Sequence, residues 1–184
     1  MRLRRSIFTA LLAAMLCILA PISIPLGAVP VSLAIFGVCL VALISDRRCA
    51  LMAILLYVAL GAVGLPVFAG FRGGGQVLVG PTGGYLFGYI PMAAVISAIC
   101  GGRRTVKRMA LGMVLGLALC YGFGVLWYSI SADVSFLTAL TVGVFPFLPF
   151  DAVKLVAAGA IALLLGRRID KLLHSDGNSG KERL

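Results

Sequence analysis

The sequence predicts an all-α integral membrane protein with six transmembrane helices. Of its 184 residues, 61% are hydrophobic and only 12% are charged, and the mean hydropathy is +1.12. This composition leaves too little polar surface to cover a water-soluble protein of this size. The apolar residues also form segments near the length of about 20 residues that a membrane span requires.

Charged and turn-forming residues separate the apolar segments and give their order along the chain. The first segment follows Met1-Arg-Leu-Arg-Arg5, a start typical of a secretory signal. Pro21 and Pro25 leave no small-residue cleavage site after it, and further apolar segments follow, so it is predicted to be an uncleaved first helix. The predicted helices cover residues 7–27, 31–45, 50–68, 84–101, 109–130 and 150–166.

The connection between helices 3 and 4, residues 69–83, differs from the other short loops. Its glycines and Pro81 favour an ordered, turn-rich outer loop over a helix exposed to lipid. No Lys followed by Ser or Thr comes after Gly80, Gly83 or Gly84, so the phosphate-binding P-loop pattern is not met. Gly80, Gly84 and Gly88 also have the four-residue spacing that permits close helix packing.

The apolar run from Phe136 to Gly166 has 31 residues, and at 1.5 Å per residue its length of about 46 Å is too great for one span. Pro146 and Pro149 predict a break within it. We expect a short apolar segment, a turn, and a last helix that begins near Phe150. Residues 1–172 then form one membrane domain, and residues 173–184 are predicted to be a disordered cytoplasmic tail.

The basic residues predict the orientation of the helices. Lys and Arg should gather on the cytoplasmic connections of a membrane protein, and fourteen of the sixteen fall on alternate connections or at the two ends. Both termini are therefore expected in the cytoplasm. The net charge of +10 is then a topology signal and does not indicate nucleic-acid binding. The fourteen are Arg2, Arg4, Arg5, Arg47, Arg48, Arg103, Arg104, Lys107, Arg108, Arg167, Arg168, Lys171, Lys181 and Arg183.

Asp151 and Lys154 are the strongest candidates for a functional site. Three residues apart on a helix, they share one face and can pair. Ionisable groups within a membrane span are costly and usually face a cavity or a partner. A pair that only fixes helix packing remains the alternative to ligand contact.

Aromatic residues bracket the glycine-rich loop. Phe68, Phe71 and Tyr89 are interpreted as anchors at the membrane interface. Tyr85 follows the double glycine at the start of the fourth helix, so its hydroxyl is expected to point into an outward cavity.

Small residues on the first helix give a second candidate surface. Ala10 and Ala14 form a small-xxx-small pair that permits the close approach of another helix. The approaching helix belongs either to this protein or to a partner protein. The sequence lacks catalytic, metal and nucleotide motifs, so we expect no enzyme activity, no metal site and no cofactor.

Two motifs resemble the signature of the BioY family. The first is Gly64-Leu-Pro-Val-Phe-Ala-Gly-Phe-Arg-Gly-Gly74 followed by Gly80-Pro-Thr-Gly-Gly-Tyr-Leu-Phe-Gly-Tyr89, and the second is Phe147-Leu-Pro-Phe-Asp-Ala-Val-Lys154. The family usually has a glycine before the aspartate, where this chain has Phe150.

The resemblance implies the substrate-binding subunit (S component) of an energy-coupling-factor (ECF) transporter in the inner (plasma) membrane of a prokaryote. This subunit captures biotin, while a transmembrane coupling subunit and two ATPase subunits drive uptake. Ala10 and Ala14 then match the surface that docks on the coupling subunit, and residues 70–84 match a lid. The implied substrate contacts are Phe71, Arg72, Gly73, Gly74, Thr82, Gly83, Tyr85, Asp151 and Lys154.

Two functional alternatives remain from the sequence. A solitary secondary vitamin transporter could use Asp151 as a proton or ion site, although no internal inverted repeat is evident. The substrate is either biotin or a precursor such as dethiobiotin. A homo-oligomer is compatible with the sequence, as is a monomer.

Overall fold

The computed structural model describes residues 2–25, 29–101 and 105–175. Within these ranges the chain is mostly helical, as predicted. A two-stranded antiparallel sheet, β1 (Ser23–Ile24) with β2 (Val31–Ser32), follows the first helix. The helices are α1 (Arg2–Leu19), α2 (Ala34–Ile44), α3 (Arg47–Ala62), α4 (Gly75–Val79), α5 (Gly83–Cys100), α6 (Val106–Ser131), α7 (Phe136–Gly143) and α8 (Leu148–Ser175).

Three of these helices are long and apolar enough to cross a membrane: α5, α6 and the segment Leu148–Leu165 of α8. Among the other described helices, α2 is strongly apolar but has only 11 residues, and α3 has 16. The 18 residues of α1 include three arginines near its start. Length and composition therefore identify three spans directly and leave the predicted number of six as a proposal.

The first predicted helix ends earlier than expected. We predicted residues 7–27, whereas α1 ends at Leu19, and β1 then pairs with β2 through Ser23 and Ser32. Pro21 and Pro25 explain the difference, because proline lacks the backbone N–H that a helix interior requires. Predicted positions 26 and 27 lie outside the described residues.

The third predicted helix also ends early, at Ala62 instead of residue 68. Gly64 follows with a φ of 114°, a backbone conformation that glycine adopts readily and that commonly terminates a helix. The predicted loop after it is ordered and turn-rich, but it also contains the short helix α4.

The predicted break in the C-terminal apolar run is present. Helix α7 ends at Gly143, a turn follows, and α8 begins at Leu148. Pro149 lies in the first turn of α8, where its missing N–H has no helical partner to lose. Helix α8 continues to Ser175, so positions 173–175 of the predicted tail are helical, and positions 176–184 lie outside the described residues.

Helices α5 and α6 pack closely through glycines. A Cβ at Gly84 would lie 2.6 Å from the Phe123 carbonyl oxygen, and one at Gly88 would lie 3.0 Å from the Cα of Cys120. The predicted packing role therefore holds for Gly84 and Gly88. Gly80 ends α4 and precedes α5.

Contacts between helices indicate which helix ends lie together. Cys49 at the start of α3 lies beside Thr9 and Arg5 near the start of α1. Met113 of α6 packs on Gly159 of α8, while Tyr121 of α6 bonds to Asp151 of α8. Helices α6 and α8 are thus antiparallel, and the basic residues at the start of α6 lie at the same end as the C-terminal part of α8.

Candidate functional site

A cavity lies between the helices, away from the end where α6 begins. The space between its walls has a volume of about 640 Å³ when the open solvent at its mouth is included. Helices α2, α3, α5, α6 and α8 contribute walls, and β2 and the loop before α5 close one side. The lining residues are Val29, Pro30, Val31, Ser32, Ala34, Ile35, Tyr57, Phe68, Ala69, Arg72, Val77, Thr82, Tyr85, Leu86, Tyr89, Tyr121, Phe147, Asp151 and Lys154.

The predicted pair of Asp151 and Lys154 is present on one wall of this cavity. Lys154 Nζ lies 2.7 Å from Asp151 Oδ1, and the two side chains are 11% and 1% exposed. Asp151 lies in the first turn of α8, where the positive end of the helix dipole stabilises a carboxylate.

Tyr121 completes this polar group. Its hydroxyl donates a hydrogen bond of 2.5 Å to Asp151 Oδ2. Each carboxylate oxygen therefore accepts one hydrogen bond from the protein and retains a further lone pair, while the Lys154 ammonium retains two N–H donors. The cavity thus offers both acceptors and donors at this wall.

Most of the remaining wall is apolar or aromatic. Tyr57 and Phe68 meet edge to face, with ring centroids 5.6 Å apart and an interplanar angle of 84°. Leu86 and Phe147 are also buried at the cavity. A mostly apolar space with a few convergent polar groups is typical of a site for a small amphipathic molecule.

Hydrogen bonds order the loop that precedes α5. Phe68 N donates to Arg72 O at 2.8 Å, which closes a tight turn. The indole Nε1 of Trp127 on α6 donates to Gly80 O at 2.9 Å. The far end of the loop is therefore fixed to α6.

The structure brings five of the nine predicted substrate contacts to the cavity: Arg72, Thr82, Tyr85, Asp151 and Lys154. Phe71 does not line it and is 69% exposed. Gly73, Gly74 and Gly83 do not line it either. Gly74 lies immediately before α4 with a φ of 95°, and Gly83 lies so close to Leu78 that a Cβ would approach the Leu78 carbonyl carbon to 2.6 Å. These glycines shape the loop that borders the cavity.

Tyr85 differs from its prediction in one respect. It lines the cavity, but its hydroxyl donates to Gly143 O at 2.8 Å and connects α5 to α7. The hydroxyl is therefore committed to the backbone and does not point freely into the cavity. Its ring fits because Gly124 has no side chain: a Cβ there would lie 2.5 Å from Tyr85 Cζ.

The interpretation of the loop aromatics as interface anchors is wrong for two of them. Phe68 is 1% exposed and Tyr89 is 6% exposed, and both line the cavity. Sequence reasoning also missed Tyr57, Tyr121 and the segment 29–32. A tyrosine in an apolar helix was the available signal for the first two, because a phenol hydroxyl needs a polar partner when it is buried.

Comparisons with known proteins agree with this arrangement. The family model described as "BioY family" matches residues 1–171. "Biotin transporter BioY" of Thermotoga maritima is 44% identical over 164 residues, which are 89% of this chain and 94% of that protein. "Probable biotin transporter BioY" of Pyrococcus horikoshii is 37% identical over 162 residues, 88% of this chain and 96% of that protein.

A solved structure has the same fold. The crystal structure of "the S-component for biotin from an ECF-type ABC transporter" superposes with a TM-score of 0.82, covering 90% of this chain and 92% of that chain at 22% identity. The apolar helices and the transporter relatives together identify a membrane protein. By its family model and its relatives, the chain belongs to the BioY family.

Proposed function

We propose that this protein is the biotin-binding S component of an ECF transporter and takes up biotin with the help of partner subunits. The observation that supports this most strongly is the Asp151–Lys154 pair, which lines a mostly apolar cavity in a member of the BioY family. Its named relatives are transporters, and the chain is not an enzyme.

The chemistry of the cavity suits biotin. The ureido N–H groups of biotin can donate to the Asp151 carboxylate, and the Lys154 ammonium can donate to a biotin oxygen. The apolar walls suit its thioether ring and aliphatic tail. Dethiobiotin also has a ureido group and an aliphatic acid tail, but it lacks the sulfur-containing ring. A site specific for biotin would therefore have to contact that ring.

The loop from Gly70 to Gly84 serves as the lid in this proposal. Arg72, Val77 and Thr82 of this segment line the cavity. Arg72 is exposed and adds a positive charge at the mouth, which would attract the biotin carboxylate.

A binding experiment tests the proposal directly. Purified protein in a defined bilayer should bind biotin, and a spin label at Gln76 in the lid should become less accessible as the site fills. Uptake into vesicles should require the coupling subunit, the ATPase subunits and ATP. Absence of saturable biotin binding would refute the function, whereas full uptake without any partner would refute the ECF assignment.

The solitary secondary transporter is the runner-up. The geometry does not favour it, because both oxygens of Asp151 accept hydrogen bonds, from Lys154 and from Tyr121. An ion that bound at this carboxylate would compete with the Lys154 ammonium for the same negative charge. The same uptake measurement separates the two functions.

The proposed topology has six spans with both termini in the cytoplasm of a prokaryotic inner (plasma) membrane. Helices α1, α2 and α3 would supply the three spans beyond those identified by length and composition. The described basic residues near the starts of α1, α3 and α6 support this topology. Because Cys49 of α3 lies beside Arg5 of α1, the basic starts of these two helices lie at the same end of the protein. Arg103, Arg104, Lys181 and Arg183 lie outside the described residues.

Cysteine labelling provides a prediction for this topology. In a background without the five native cysteines, Asp133→Cys and Gln76→Cys should react with a membrane-impermeant reagent added outside intact cells, because each follows a span that ends outside. Asp46→Cys should react only after the membrane is opened. All three positions are exposed in the structure, so reaction of Asp46→Cys from outside would refute the orientation.

The proposed partner surface lies on α1. Ala10 and Ala14 are exposed, as are Leu3, Ile7 and Ile18, whereas Leu12, Ala13 and Leu16 are buried against the rest of the protein. Small residues on an outward helix face allow a second helix to approach closely. We propose that this face docks on the coupling subunit.

A further inference from the structure

Tyr57 carries a polar group that the site described above leaves unused. It lies within α3, is 0% exposed and lines the cavity. In the part of the chain that the structure describes, its hydroxyl is the buried side-chain oxygen without a hydrogen-bond partner. Buried polar groups nearly always have partners, so this hydroxyl requires an explanation.

Packing fixes the Tyr57 ring in place. Phe68 meets it edge to face, and Phe68 itself is 1% exposed. The ring of Phe68 fits against α3 because residue 61 is glycine: a Cβ there would lie 2.7 Å from Phe68 Cε2. Tyr57 therefore cannot swing out to bring its hydroxyl to solvent without displacing Phe68.

Three other hydroxyls at the cavity have protein partners. Tyr85 donates to Gly143 O at 2.8 Å, Tyr121 donates to Asp151, and Ser32 Oγ accepts from Ala34 N at 3.1 Å. Tyr57 differs because its phenol O–H has no hydrogen-bond partner within the described structure. Leaving a buried donor unpaired costs free energy, and a bound ligand that accepts its hydrogen bond would remove that cost.

We propose that the Tyr57 hydroxyl donates a hydrogen bond to the ureido oxygen of bound biotin and makes the site specific for a cyclic urea. This inference rests on the proposed function. A buried, uncharged phenol suits a neutral acceptor, whereas the biotin carboxylate is charged and needs a cation. Lys154 and Arg72 are the cations that line the cavity.

The geometry of a urea supports this assignment. Its carbonyl oxygen lies next to the N–H groups but points in a different direction, so it can meet a second residue while an N–H donates to Asp151. Tyr57 belongs to α3, and Asp151 belongs to α8, so the two residues approach the cavity from different walls. In the proposed binding mode, one ligand ring donates to the carboxylate and accepts from the phenol.

The test uses Tyr57→Phe, which removes one oxygen atom and keeps the ring. We expect the dissociation constant for biotin to rise about threefold to tenfold, the loss of one net hydrogen bond. Biotinol, which has a hydroxyl in place of the carboxylate, should lose affinity by the same factor. Without ligand, the unfolding temperature in detergent should stay the same or rise, because an unpaired buried hydroxyl is removed.

Tyr85→Phe serves as the matched control, because its hydroxyl has a backbone partner. It should lower the unfolding temperature without ligand. If Tyr57→Phe also lowers that temperature or fails to fold, the hydroxyl supports the fold and the inference is wrong. A loss below threefold for biotin, or a loss for biotin that biotinol does not share, overturns it as well. If the wild-type protein does not bind biotin, the proposed function is wrong. If the wild type binds and only the Tyr57→Phe results differ from expectation, the inference about Tyr57 alone is wrong.

Discussion

Asp151→Asn and Lys154→Met should each weaken biotin binding by about tenfold to a hundredfold, with the fold intact. Each substitution keeps the approximate size of the side chain and removes one partner of the 2.7 Å ion pair. The remaining charge is then unpaired in a buried place, and one polar contact with biotin is lost. Removal of a partner from a buried polar contact costs about 1 to 3 kcal/mol, which corresponds to this range of affinity.

Titration with biotin in detergent or nanodiscs measures the effect, with size-exclusion profiles and unfolding temperatures recorded alongside. Asp133→Asn and Lys107→Met make the same chemical changes at exposed positions away from the cavity and should bind biotin as the wild type does. If both site variants fold and bind within about twofold of wild type, far below the expected loss, the pair only fixes helix packing.

A double variant refines this prediction. Asp151→Asn combined with Lys154→Met leaves no unpaired charge at the wall, so its unfolding temperature should lie closer to the wild type than that of either single variant. Its affinity for biotin should stay low, because neither polar contact is restored. Recovery of stability without recovery of binding would separate the structural role of the pair from its role in binding.

Ala10→Trp and Ala14→Trp should abolish ATP-driven uptake, reducing it by about tenfold or more, and leave biotin binding within about twofold of wild type. Both alanines are exposed on α1 and neither lines the cavity. A large indole on this face should prevent the close helix approach that small residues permit. Even a few kcal/mol of lost docking energy would reduce the assembled fraction by orders of magnitude.

Two control variants define the result. Leu126→Trp on α6 replaces a side chain that is already large and 58% exposed, away from α1, so uptake should remain. Ala13→Trp places bulk at a position that is 1% exposed and should destabilise the protein itself. If Ala10→Trp and Ala14→Trp transport biotin normally, the coupling subunit docks elsewhere. If they lose biotin binding, this face of α1 packs against the protein itself and is not a docking surface.

The sequence by itself determined the class of protein and the chemistry of one wall of the site. Composition and apolar segment length require lipid as the solvent, because a water-soluble protein of this size could not bury so much apolar surface in its interior. The spacing of Asp151 and Lys154 was sufficient to predict their ion pair, because a helix brings residues three apart onto one face whatever surrounds it. The prolines near residue 146 likewise predicted the break before α8, because their effect on a helix is local.

Helix ends and the remaining walls of the cavity were decided by tertiary structure. The bond from Tyr121 to Asp151 joins residues 30 apart in the sequence, and the bond from Tyr85 to Gly143 joins residues 58 apart. No local pattern reports which tyrosine hydroxyl finds a backbone oxygen and which, like that of Tyr57, is left without a partner in the described structure. Such pairing depends on how helices pack at glycines such as Gly84 and Gly124, where the absent side chain sets the distance between the backbones.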